Sequence, residues 1–188
     1  MYFTGLGVVR DFSEATRWLA PAADAGDSSA QYLLGMISEA GGGGVLQSNK
    51  AAFGWFSKAA AQGHPSAQYR LARAYNFGRG VPTDYAEAMR WYRGAATAGN
   101  SDALTAIGVL YAQGRGVTQD FKQALAYFQR AADAGNAEGM RRIGDLYFNG
   151  DGVPHNDEIA YSWLRRAAAA GSDDAARRLA TVITPNDN

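Results

Sequence analysis

Between Ala67 and Asn100 the apolar positions follow a helical period twice over. Ala67, Leu71, Ala72 and Tyr75 fall on one face of a helix when successive residues turn by about 100°. Gly78-Arg79-Gly80-Val81-Pro82 breaks that run. Asp84 then stands where an N-cap belongs, and Ala88, Trp91, Tyr92 and Ala95 line a second apolar face that Gly99 ends. The pattern predicts a helix–turn–helix pair with a start and a stop written into its second helix.

The same pattern returns 36 residues on as Ala103, Ile107, Gly108, Tyr111, Gly114-Arg115-Gly116-Val117, Asp120, Tyr127, Phe128 and Gly135. It returns again as Gly139, Ile143, Gly144, Tyr147, Gly150-Asp151-Gly152-Val153, Asn156, Trp163, Leu164 and Gly171. The closing glycines Gly63, Gly99, Gly135 and Gly171 are each 36 residues apart, and a fixed period in this range predicts a solenoid. The expected division is a partial repeat over 1–26, full repeats over 27–63, 64–99, 100–135 and 136–171, and a capping helix with a tail over 172–188.

The copies differ in ways that carry expectations. Tyr2–Val8 aligns with Tyr75–Val81, so the first copy begins at the last turn of its first helix and further residues are expected upstream. Trp18 and Leu19 are read as core of the following helix, and Pro21 is expected to kink it by removing a hydrogen bond. In the second copy Ser38 stands where the others have tyrosine, and its turn is Gly41-Gly42-Gly43-Gly44. Four glycines in series fix one conformation only at high entropic cost, so this loop is expected to be the most mobile.

The A-x-x-x-L-G/A-x-x-Y run, the G-x-G-V turn and the W-Y/F-x-x-A-A-x-x-G close, as in Ala67–Gly80 and Trp91–Gly99, resemble the Sel1-like repeat family, a relative of the tetratricopeptide repeats. The resemblance covers nearly the whole chain. It implies an all-α, right-handed superhelical solenoid of about five helix pairs plus a C-terminal capping helix. It also implies binding of a protein or peptide partner. Bacterial members imply envelope adaptor, signalling or toxin-neutralising roles, with a periplasmic or secreted location.

Charge narrows the partner class. Eighteen basic and eighteen acidic residues give a formal net charge of +0, without the basic excess that a nucleic-acid or anionic membrane surface needs. No apolar run reaches the length of a membrane span, so direct insertion is not expected. With no cysteine, neither a disulfide framework nor a thiolate site is available.

Candidate chemistry reduces mostly to architecture. The Gly-x-Gly turns lack the third glycine of a dinucleotide loop and follow helices rather than strands. Asp11, Asp84 and Asp120 precede helices and read as caps. The two histidines, His64 and His155, lie in different kinds of turn and read as loop residues, so no metal or organic cofactor is expected. The column Trp18, Trp55, Trp91 and Trp163, with Tyr127, reads as core, as do Tyr75, Tyr111 and Tyr147.

What remains is the opposite face of the first helices, which the tetratricopeptide resemblance places on the concave side. Counting the inward alanine or glycine as zero, positions minus one, two, six, nine and ten point away from the core of each pair. They supply Tyr32, Met36 and Glu39, then Tyr69, Arg73, Asn76 and Phe77. Further along come Thr105, Val109, Ala112 and Gln113, then Arg141, Asp145, Phe148 and Asn149, and Arg177 in the capping helix. The face holds no lysine, and its Tyr, Phe, Met and Arg are types enriched at interfaces. The expected function is a non-catalytic scaffold. The alternative, an enzyme acting on cell-wall or small-molecule substrates, would need an acid and a base converging in a pocket, and no such pair is visible. A third reading is an architectural segment of a larger regulatory chain. Trp18, Leu19 and Ala22-Ala23, lacking a partner helix, are expected to form an apolar end that favours end-to-end self-association.

Overall fold

Every repeat starts its helices with a side-chain cap, and the caps set the architecture. In the computed structural model, which describes residues 11–183, ten α-helices are present among the described residues and no strand is. They are α1 (Phe12–Asp24), α2 (Ser28–Ala40), α3 (Asn49–Ala61), α4 (Pro65–Phe77) and α5 (Tyr85–Thr97). The chain continues with α6 (Ser101–Gln113), α7 (Phe121–Asp133), α8 (Ala137–Asn149), α9 (Asp157–Ala169) and α10 (Asp173–Ile183). The all-α repeat fold expected from the period is the one observed. The chain divides between Ala98 and Gly99 into two units. In the first, α1 to α5 pack in chain order, and in the second α6 to α10 do the same.

Asp11, Ser48, Asp84, Asp120 and Asn156 each accept a backbone N–H in the first turn of the second helix of a pair. A second set of caps opens the first helices. Asp27, His64, Asn100 and Asn136 accept from Ala30, Ala67, Ala103 and Gly139, and Ser172 Oγ accepts from Ala175. Acceptors at both starts satisfy amides that a helix leaves without partners.

The G-x-G turns follow from two separate demands. Gly78, Gly114 and Gly150 end their helices with φ of +67°, +63° and +77°, a left-handed cap that side chains disfavour. The second glycine permits close approach: a Cβ on Gly80 would lie 2.3 Å from the Asn49 carbonyl oxygen. Beyond each turn the cap residue's N–H reaches back to the first helix, as Asp84 N to Tyr75 O at 3.0 Å and Asn156 N to Tyr147 O at 2.9 Å. Ser48 N makes the same bond to Ser38 O at 2.8 Å, so the missing tyrosine costs that link nothing.

The four-glycine loop, expected to be the most mobile, has several ties. Gly42 and Val45 exchange two backbone hydrogen bonds, and the Gly43 carbonyl accepts from Ser13 N at 3.1 Å and Ser13 Oγ at 2.8 Å. Its glycines take φ between +55° and +93°, a conformation that other residues would strain to adopt. Pro21 lies inside α1, which runs on to Asp24; the bond it forgoes is the one its own nitrogen would donate, while its carbonyl accepts from Ala25 N at 3.0 Å. The aligned stretch Tyr2–Val8 lies outside the described residues.

One core assignment needs correction. The large side chains buried most deeply in the second helices are Phe56, Tyr92, Phe128 and Leu164, each one residue after the aromatic column. Trp55, Trp91, Tyr127 and Trp163 are only half-buried, and Trp18 is 70% exposed. A step of about 100° carries the column to the edge of the interface, where cations cover the rings. Lys58 sits 4.3 Å from the Trp55 ring, Arg130 is 5.3 Å from Tyr127 and Arg166 is 3.9 Å from Trp163. Tyr75 and Tyr111 are likewise half-buried, against Phe53 and Tyr127.

Candidate protein-binding faces

The first unit gathers its candidate residues on α2 and α4. Tyr32 is half-buried, stacked on the His64 ring at 4.8 Å with its centroid 6.0 Å from Phe56. Met36 packs beside it against the apolar cluster of Ala52, Phe56 and Leu71. These two side chains therefore help join one repeat to the next. Tyr69 leans on Tyr92 at 5.8 Å, and Asn76 Nδ2 lies 3.5 Å from the Tyr92 hydroxyl.

Arg73 and Phe77 are placed differently. Phe77 is 54% exposed at the end of α4, with Arg73 and Arg79 guanidinium carbons 6.0 and 5.5 Å from its ring. An exposed aromatic between two arginines has the composition of an interface anchor. Arg70, three positions after the inward alanine of α4, donates to Glu39 Oε2 of α2 at 3.0 Å, and Arg79 lies 3.6 Å from the other oxygen.

The second unit carries a charged network instead. Arg141 donates to Glu138 Oε1 at 2.5 Å and to Asp145 Oδ2 at 2.6 Å, and Arg178 of α10 also donates to Asp145. Burial alone would raise the Glu138 carboxyl, but the hydrogen bonds and charges of Arg141 and Arg142 outweigh it and hold it below the usual range. The Glu138 bond likewise raises Arg141 against its own burial. Asn149 donates to Asp151 at 3.1 Å, and exposed Arg177 pairs with Asp174.

Val109, Gln113, Asp145 and Asn149 meet at a cavity of about 200 Å³, also lined by Arg142, Asp151 and Arg178. Sequence reasoning overlooked the arginines at the third position, Arg70, Arg142 and Arg178. The signal was present, since they stand 72 and 36 residues apart in the same register. No cluster of three or more metal-ligating side chains occurs among the described residues. No helix among them is long and apolar enough to cross a membrane.

Helix pairs repeated at this period, with side-chain caps and inward small residues, define an α-helical repeat protein. The chain matches the Sel1 repeat model over residues 1–27, 28–64, 65–100, 101–136 and 137–172, and it belongs to the Sel1 repeat family. A Sel1 repeat protein from Oxalobacter formigenes is similar over all of this chain and 76% of its own, at 35% identity and a TM-score of 0.89. The protective antigen c5321 of uropathogenic Escherichia coli is 36% identical over 87% of this chain, with a TM-score of 0.79, and this chain covers 35% of that one. A putative Sel1 repeat protein from Klebsiella pneumoniae, 23% identical over 90% of this chain and 84% of its own, shares the fold at a TM-score of 0.60. No curated protein matches. Sel1 repeat proteins are generally protein-interaction scaffolds.

Proposed function

We propose that this chain is a non-catalytic scaffold that binds a protein or peptide through the outward faces of its first helices. The observation that carries this reading is Phe77, exposed between Arg73 and Arg79 on a surface with few other large apolar side chains. A preformed helical face loses little conformational entropy on binding. The half-buried carboxylates Glu138 and Asp145 support the non-catalytic part, since arginines engage both in ion pairs. An envelope-adaptor or toxin-neutralising role is a finer assignment that the identity of the partner decides.

The test is affinity capture from the source cell with mass spectrometry, run in parallel on wild type and on Arg73→Ala with Phe77→Ala. Anchors of these types cost about 2 kcal/mol or more when truncated at an interface. Both changes should leave the melting temperature nearly unchanged, because neither side chain is buried. Tyr69 is a poorer choice, since its contact with Tyr92 would mix stability into the result. Equal capture by both proteins would move the interface off this face.

A further inference from the structure

The niche between consecutive first helices is built twice in different ways. In the first unit Glu39 fills it, held by Arg70 and Arg79, and leaves about 10 Å³. In the second unit the corresponding niche between α6 and α8 is the cavity of about 200 Å³. Register explains the difference. Counted from the inward small residue, Ala112 takes the place of Glu39, Arg142 that of Arg70, and Asp151 that of Arg79. The apolar floor is kept, with Phe128 where the first unit has Phe56.

Losing the glutamate leaves its arginine behind. Arg142 gives its Nε–H to Glu138 on its own helix at 2.8 Å, and Glu138 is its only ion-pair partner among the described residues. Arg178 Nη1 of α10 reaches back in this way to Asp145 of α8, but no bond from Arg142 across its own niche to α6 matches the 3.0 Å bond of Arg70. We propose that this cavity receives a glutamate or aspartate side chain from a peptide partner, whose carboxylate pairs with Arg142 as Glu39 pairs with Arg70. The acid's methylenes would lie on Val109, Phe128 and Leu146, which line the same cavity. Asp151 stands where the first unit has a second cation. It makes the site weaker than the internal pair and disfavours a phosphate, whose greater charge it would repel. The inference rests on the peptide-binding reading and specifies one contact within it.

Random dodecapeptides displayed on phage and selected against the full chain provide the probe. Selected peptides should carry an acidic residue whose change to Gln or Asn lowers affinity about tenfold, the loss typical of a charge-assisted bond. Ala112→Glu should refill the niche from within, hold or raise the melting temperature, and lose those peptides by tenfold or more. Arg142→Gln should lose them to the same extent, which keeps the test valid if Ala112→Glu folds poorly. Asp151→Asn should bind several-fold tighter. Peptides that bind wild type and both variants equally would overturn the cavity assignment while leaving a peptide-binding surface elsewhere. Binding that survives replacement of every acidic residue would overturn the carboxylate, and a selection that enriches nothing would overturn the site.

Discussion

Arg70 and Glu39, 31 residues apart in sequence, meet at 3.0 Å across the niche between α4 and α2. Both side chains are about one-quarter exposed, so the pair keeps more of its strength than a solvated one and bears a smaller desolvation penalty than a buried one. It ties two repeats together through polar atoms, while Tyr32 and Met36 of α2 pack on the apolar cluster that includes Phe56 of α3 and Leu71 of α4.

Glu39→Gln should therefore destabilise the protein by about 1 kcal/mol, with the loss shrinking as salt is raised. Arg79→Ala should cost less, since that side chain is 45% exposed and 3.6 Å from the carboxylate. Urea midpoints at low and high salt would measure both. A larger effect from Arg79 than from Glu39 would contradict the geometry.

Gly108 allows α6 to approach α7 closely. A Cβ there would lie 2.5 Å from Phe128 Cε1 and 3.1 Å from the Ala124 carbonyl oxygen. Gly108→Ala gains about 1 kcal/mol in helix propensity but overpacks a fixed ring, at a cost of about 1–3 kcal/mol. The net effect should be destabilising by about 1 kcal/mol. In a Phe128→Leu background the same change should cost less, because the clashing ring is gone. Additive effects in a double-mutant cycle would show that the ring is not the obstacle.

The period, the helix pairs and the Asp caps were legible because each is a local rule applied at a fixed interval. The caps of the first helices were harder to see. His64 looks like a loop residue, yet its Nδ1 accepts from Ala67 N at 3.3 Å where the next repeats use Asn100 and Asn136. The tryptophan column was misplaced because neighbouring helix positions differ by only about 100°, and the residue after each tryptophan is also large and apolar. The Glu39–Arg70 pair and the cavity at Ala112 depend on which side chains face each other across repeats. Comparing the same register between copies reveals them, whereas reading along one helix does not.

Trp18 is 70% exposed on α1 and Ala22 is also exposed, whereas Leu19 is half-buried against the Leu34 and Ile37 cluster and Ala23 is 2% exposed. The apolar end expected from the sequence is thus narrower than its four residues, and Trp18 dominates it. If that ring joins two copies, sedimentation should show association that rises with concentration and disappears in Trp18→Lys. Stability at low concentration should change by about 0.5 kcal/mol or less, as for an exposed substitution. Association that persists in the variant would place the contact elsewhere.

Tyr92 should set an alkaline limit on the fold. Its side chain is 1% exposed, and burial pushes the phenol well above its usual value, with Tyr69 adding to the rise while Asn76 and Arg73 oppose it. The folded state therefore holds this proton more tightly than the unfolded chain, whose tyrosine titrates near pH 10. The stability it contributes is fully present below about pH 10 and is lost as pH rises toward the folded value, by up to about 1.4 kcal/mol per pH unit. Tyr92→Phe removes this proton but keeps the ring that fills the α4–α5 core. The variant should lose its hydroxyl contact with Asn76, costing about 1 kcal/mol at neutral pH. Above pH 10 its urea midpoint should fall less steeply than that of wild type, so the two curves converge. Parallel curves between pH 9 and 11 would mean that another group sets the alkaline limit.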